Sequence, residues 1–461
     1  MTDQTQSLKN GKGYSKAFWV ANSVELLERA AYYGVFVVIT LYLSRIIGFN
    51  DMEAAIIAGL FSGGLYLLPV FTGAYADKIG FKNALIIAFS LLTVGYASLA
   101  IFPAILEAKG FVEYAREVTY HGLRTMNVRY YIVPIMIIIM IGGSFIKSVI
   151  TGTVAKETTE ANRARGFSIF YMMVNVGAFS GKTIVKPLRE SMGNLGLVNL
   201  NYYAAGMTFI ALILIILMYK STKHEGEGKT IKEIWTALVK VVSNFRLLAL
   251  ILIITGFWMV QHQLYATMPK YVLRLAGESA SPSWYANVNP LVVVIFVTFI
   301  TQFMRNKTPL FSMTVGMFIM PLSAFFMATG NWISGDILGM HPVAFMMIIG
   351  IIFQALGECF ISPRFLEFFS LQSPKGEEGL YLGFSHLHSF FSSILGFGLS
   401  GYLLSKYCPD PTLFDTKEAW EAASVNAHYI WYYFVVIALV SAIALIIYGK
   451  VTRKRDLAKA Q

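Results

Sequence analysis

The chain is 461 residues long, 56% hydrophobic and 14% charged, with a formal net charge of +11. Soluble domains carry roughly a quarter charged residues, so these proportions exclude a water-soluble globule. The positive surplus suggests nucleic acid at first sight, but the apolar residues come in runs of about twenty, the length that crosses a hydrocarbon core of roughly 30 Å, and the placing of charges then matters more than their sum.

Residues 1–16 are polar and basic with no short apolar segment behind them, and read as a cytosolic tail rather than a signal peptide. Apolar spans follow at about 18–45, 53–76, 83–105, 130–154, 166–186 and 201–219, then at about 247–268, 286–304, 309–329, 342–362, 379–404 and 428–449. This pattern predicts an all-α membrane protein of twelve transmembrane helices: a six-helix bundle over 17–219, a linker over 220–246, a second bundle over 247–449 and a basic tail over 450–461. With the N-terminus inside, about 23 Lys and Arg fall in cytosolic segments against about 12 outside, which predicts that both termini are cytoplasmic. In the linker, TIKEIWTALVKVVSN sets Ile231, Ile234, Trp235, Leu238, Val239 and Val242 on one helical face, the pattern of a short helix in the membrane interface. Cys359 and Cys408 are too few for a disulfide framework and are expected to be ordinary thiols.

An ionisable side chain inside a span costs at least ~2.5–3.5 kcal/mol at the bilayer centre, so such residues mark function by default. In VELLERAAYYG, Glu25, Glu28 and Arg29 are spaced i, i+3, i+4 and share one helical face, which Tyr32 and Tyr33 extend by a turn. Two carboxylates beside one guanidinium leave one acid that a proton can neutralise. The plain alternative is a charge cluster that only fixes helix packing. Lys147 in SFIKSVITG and Glu358 in QALGECFISP stand one in each half, where a pair across the cleft could gate access; the alternative is that each is paired within its own half. His262 lies in the seventh span. GAYADKIGFK, from Gly73 to Lys82, offers glycines for close helix approach and Asp77 for capping or pairing at the membrane edge. His386 and His388, two apart on a helix, make a poor metal pair, and HExxH, phosphate-loop and nucleophile-elbow motifs do not occur. No enzyme, metal or cofactor is expected.

With these residues in view, the chain resembles a known family. GAYADKIGFK, with Gly73, Asp77, Gly80 and Lys82, resembles the signature loop of the major facilitator superfamily. ELLERAAYYG resembles the ExxER motif of the proton-dependent oligopeptide transporters, and GFSIFYMMVNVGAFSG their fifth-span signature. Lys147, Glu358 and Tyr66 match that family's fourth-span lysine, tenth-span glutamate and second-span tyrosine. The resemblance implies a major facilitator fold, proton coupling through Glu25 and Glu28, a substrate carboxylate at Arg29 and Lys147, a substrate amine at Glu358, and a pocket lined by Tyr32, Tyr33, Tyr66 and Asn175. Three positions depart from the family pattern: Phe36 stands where an arginine is usual, His262 in FWMVQHQ where an acid is usual, and Ser385 where a tryptophan is usual. The helix pair that many bacterial members insert between the halves does not occur here.

The reading that follows is a proton-coupled symporter of small peptides or similar zwitterions, working by alternating access as a monomer in the cell (inner) membrane. Its partners are substrate, protons and lipid, not nucleic acid. The alternative is a carrier of another organic solute, inward or outward. Phe36 and His262 replace an oppositely charged couple together, so the outer side is expected to close by apolar and aromatic contact, with His262 beside Phe36 or a carboxylate and able to add a proton-sensitive step.

Overall fold

The computed structural model describes residues 13–114, 118–159, 162–220, 230–372 and 384–460. Nearly all of it is helix, with breaks that the apolar runs concealed; the start of the span expected at 379–404 lies outside the described residues. Predicted span one is two helices, α1 (Lys16–Phe36) and α2 (Ile39–Arg45), bent by 46° at the paired valines 37 and 38. Ser15 caps α1 by accepting the Phe18 amide at 3.1 Å. Span two is also broken, into α3 (Asp51–Leu67) and α4 (Pro69–Ile79). Pro69 has no amide hydrogen and crowds the preceding turn, so the ladder stops at Leu68. The start of α3 is fixed by a reciprocal cap, in which Asn50 and Glu53 each accept the other's backbone amide, at 2.9 and 3.0 Å.

Four further helices complete the first six spans: α5 (Phe81–Ala108), α6 (Ile132–Lys156), α7 (Arg163–Met192) and α8 (Leu195–Met218). The linker carries α9 (Ile231–Ser243), where the sequence placed a helix. Ile234 is buried in it while Trp235 and Val239 stay exposed. Span seven is the most broken: α10 (Phe245–Gln261), a turn at His262, α11 (Gln263–Ala266) and α12 (Met268–Ala276). Then come α13 (Pro282–Tyr285), α14 (Val288–Phe303), α15 (Pro309–Thr329), α16 (Pro342–Gln372), α17 (Leu387–Tyr407), the short α18 (Lys417–Ser424) and α19 (Tyr429–Ala460).

Among the described residues, ten helical segments are long and apolar enough to cross a membrane, and the bent pair α1–α2 makes eleven. Helix α7 is long enough to be the twelfth, at 30 residues, but Lys182, Lys186 and the polar groups around them lower its hydropathy.

The link between α5 and α6 is not plain coil. It holds a two-stranded hairpin, β1 (Val112–Tyr114) and β2 (Val118–Tyr120). Tyr114 donates to the Ile46 carbonyl at 2.6 Å and Tyr120 to that of Arg45 at 2.7 Å. Arg129 donates to Gly48 at 3.1 Å. The hairpin thus satisfies carbonyls left open where α2 ends, which a helix must otherwise leave to water. Burial and neighbouring negative groups hold the Tyr114 phenol well above its usual range, keeping it a donor.

The chain divides into two compact units, residues 1–49 with 64–234, and 50–63 with 235–461. The first part of α3 therefore packs with the second unit. There a Cβ on Gly401 would meet the Asp51 carbonyl oxygen at 2.9 Å, so only glycine lets α17 lie this close to α3.

Candidate functional site

In the first unit the ionisable face of α1 is buried as a group. Glu25 and Glu28 are each 3% exposed. The Nε of Arg29 lies 3.1 Å from Glu25 Oε1 and 2.5 Å from Glu28 Oε2. These are close ion pairs rather than well-directed hydrogen bonds, and Glu25 Oε2 is buried with no hydrogen-bond partner. A buried acceptor oxygen left open is a place for a proton. The Arg29 guanidinium lies 5.5 Å from the Tyr32 ring, which meets Tyr33 edge-on and stacks on Phe36 with centroids 5.0 Å apart. Phe36, where the family has a cation, extends an aromatic stack.

Lys147 on α6 feels the same cluster, repelled by Arg29 and attracted by Glu28 and Glu25. Its ammonium sits 3.9 Å from the centroid of the Tyr66 ring. The sequence-predicted Glu25, Glu28, Arg29, Tyr32, Tyr33, Tyr66 and Lys147 thus all belong to the first unit. Asn175, on α7, donates to the Tyr171 carbonyl at 2.8 Å on a more open face. The α1–α7 seam explains how this face is set: a Cβ on Gly177 would meet the Leu26 carbonyl oxygen at 2.5 Å and Arg29 Cβ at 2.8 Å. That absence of side chain lets α7 press directly on the charged stripe.

In the second unit Glu358, on α16, accepts from Gln261 Nε2 at 2.7 Å and from Asn289 Nδ2 at 3.2 Å. The carboxylate is thus oriented by amides from α10 and α14. His262 is buried at the span-seven break. Its Nδ1 is 3.5 Å from Ser393 Oγ, which lies 3.0 Å from Ser62 Oγ, and its ring lies near Trp258 and Phe397. His388, read from sequence only as a poor ligand, is also buried here. Its Nδ1 donates to the Ser385 carbonyl at 2.5 Å, since a carbonyl can only accept, and Nε2 is 3.0 Å from Ser389 Oγ. Among the described residues there is no group of three or more side chains suited to a metal.

The signature loop spans the turn from α4 to α5. Gly80 has φ +84°, which a side chain would strain, and a Cβ on Gly73 would meet Ser148 Oγ at 2.8 Å. Lys82 donates to the Ile216 carbonyl at 3.3 Å, near the end of α8. Asp77 is half-buried in α4.

Two features were missed by sequence reading. Lys182 on α7 is a fully buried lysine whose ammonium is 5.1 Å from the Tyr33 ring centroid. The second is an ionic knot in the second unit. Arg274 donates through Nη1 to Asp51 Oδ2 and through Nη2 to Asp51 Oδ1, each at 2.9 Å, while Lys270 donates to Oδ1 at 2.8 Å. Arg274 also donates to the Cys408 carbonyl at 2.5 Å, and Asp410 lies 3.8 Å from its Nη2. Phe36 lies in the first unit, against Tyr32, and the neighbours described for His262 are a tryptophan, a serine and a phenylalanine.

The family model for the Major Facilitator Superfamily matches residues 22–340. The chain belongs to that superfamily. Within it, the chain is 21% identical over 455 residues to dipeptide and tripeptide permease A of Proteus mirabilis, covering 85% of this chain and 87% of that one. It is 24% identical over 372 residues to solute carrier family 15 member 1 of the dog, 68% of this chain and 52% of the relative. The in meso crystal structure of the POT family transporter PepTSo superposes with a TM-score of 0.71 at 17% identity, covering 96% of this chain and 99% of that one. The fold is that of a twelve-helix major facilitator, and the chain is an integral, multi-pass membrane carrier rather than an enzyme.

Proposed function

We propose that this facilitator is a proton-coupled symporter of di- and tripeptides or peptide-like zwitterions, working by alternating access. The observation that carries the reading is the buried Glu25–Glu28–Arg29 face with Lys147 beside it. It supplies acids that can take a proton and cations that can take a substrate carboxylate within one unit. The names of the relatives, permeases of dipeptides and tripeptides, support the substrate class.

In this reading Glu25 and Glu28 couple protons, and Arg29 and Lys147 meet the carboxylate. Glu358, held by Gln261 and Asn289, meets the amine. Tyr32, Tyr33, Tyr66 and Asn175 line the pocket. His262 contributes a second protonation step, and Lys147 and Glu358 act together in gating. The Gly73–Lys82 loop keeps α4 and α5 in register. The protein works as a monomer in the inner membrane with both termini cytoplasmic, and α9 lies in the interface.

The test is thermal stability of purified protein against dipeptides, tripeptides, free amino acids and organic anions. A ligand present at about a hundred times its Kd stabilises the native state by about 2.7 kcal/mol. Peptides should raise the melting temperature and free amino acids should not. Stabilisation by organic anions or apolar drugs alone would overturn the substrate class.

A further inference from the structure

Span seven breaks at His262, and side-chain amides from α10 and α16 hold the near side of the break. Gln354, on α16, donates through Nε2 to the Val260 carbonyl at 3.0 Å. Gln261, the next residue and the last of α10, donates through Nε2 to Glu358 Oε2 at 2.7 Å. Gln354 and Glu358 are four apart on α16, so one face of that helix meets the end of α10 twice. A carbonyl and a carboxylate can only accept, so in both glutamines the NH2 group points at its partner.

Packing alone does not account for these two residues. Gln261 is 5% exposed and Gln354 fully buried, and the Oε1 of each is buried with no hydrogen-bond partner among the described residues. An unmet buried acceptor destabilises the fold, and an unbranched methionine would fill much the same space without it. What the two amides supply is direction. Gln261 grips the Glu358 carboxylate, and Gln354 fixes the backbone next to Gln261. Asn289, from α14, donates to the same Oε2 at 3.2 Å. Glu358 and Asn289 are only half-buried, so the carboxylate is open to a ligand although the glutamines are not.

We propose that Gln261 and Gln354 are positioning residues of the amine subsite, which hold the Glu358 carboxylate where it selects a free ammonium. The inference rests on the reading above in which Glu358 meets the substrate amine. Each glutamine acts through Glu358, so neither has to touch the ligand.

The test is the Kd of purified full-length protein for Ala-Ala and for propionyl-alanine, the same molecule without its amine. The wild type should bind Ala-Ala at least about tenfold more tightly. Gln261→Met keeps the length of the side chain but cannot donate, and loss of a hydrogen bond to a charged group should cut that preference about tenfold or more. The change should come from Ala-Ala, with propionyl-alanine held within about twofold. Gln354→Met, one bond further from the carboxylate, should lower the same ratio by about threefold. If Gln261→Met does not fold, Gln261→Leu carries the same expectation. Equal losses for both ligands, or no loss, would make the glutamines packing residues and overturn the proposal. A wild type that binds the two ligands equally would overturn the amine subsite and leave the peptide reading standing. Absence of binding of Ala-Ala to the wild type would sink the peptide reading and this inference with it.

Discussion

Asp51 and Arg274, 223 residues apart in sequence, meet in a bidentate carboxylate–guanidinium pair with both bonds at 2.9 Å. Lys270 adds a third contact to the same carboxylate, and all three side chains are buried. Asp51 is the acid that both cations share, with Asp410 farther off at 3.8 Å from Arg274, and removing one partner of a buried pair costs about 3–5 kcal/mol. The knot therefore holds the start of α3 to the tail of the seventh span.

Cys408 reports on that knot. Its carbonyl accepts from Arg274, and burial pushes its thiol up to about 12. Only the thiolate reacts, so a buried thiol held in its neutral form should react slowly. In a Cys359→Ala background, maleimide should label Cys408 slowly and Asp51→Asn should raise the rate at least about tenfold, with a lower melting temperature. Equal labelling rates would mean that the knot does not hold this region closed.

Orientation is tested by single cysteines at Gly226, in the linker, and at Ser279, an exposed position after α12. The excess of Lys and Arg on the linker side predicts that it lies in the cytosol. A membrane-impermeant reagent should label 279 in intact cells and 226 only after the cells are opened. Labelling of both from outside would reject the orientation.

Lys147 belongs to the first unit and Glu358 to the second. If they gate together, each alanine change alone should stop transport, and the losses in substrate binding should not add. The measurement is a double-mutant cycle on binding, with a coupling energy of about 0.5–3 kcal/mol expected for interacting residues. Strict additivity would mean that the two act separately.

His262 sits at the break of the seventh span with Trp258, Phe397 and Ser393 around it. An imidazole can change charge between about pH 5 and 8, where a glutamine cannot. Transport by His262→Gln should therefore follow a differently shaped pH profile between about 5.5 and 8. Two profiles of the same shape, differing only in height, would make His262 a neutral hydrogen-bonding residue.

The charged face of α1 was legible from sequence because i, i+3, i+4 spacing is a local property of one helix. The spans were legible because twenty apolar residues in a row leave few alternatives. The bend at Val37 and the break at Leu68 were not, since the apolar run continues through both, although Pro69 is itself a local signal. Asp51, Lys270 and Arg274 read as ordinary charges at the ends of spans, and nothing local ties Asp51 to residues more than 200 positions away. Tyr114 and Tyr120 were passed over because a three-residue strand has no periodicity to detect. Lys182 is a different kind of miss: a charge inside a span is visible in the sequence, and the rule that singled out Lys147 applies to it equally.

The central claim is that buried Glu28 couples protons to substrate movement. Wild-type protein in liposomes with an alkaline interior should concentrate a labelled dipeptide, and a protonophore should abolish the accumulation. Glu28→Gln keeps the shape of the side chain but cannot release a proton. It should exchange labelled for unlabelled dipeptide at a rate near that of wild type, because exchange moves no net proton, and should accumulate nothing under the gradient. If Glu28→Gln liposomes still concentrate the dipeptide under a pH gradient, Glu28 is not the coupling acid and the account fails at its centre.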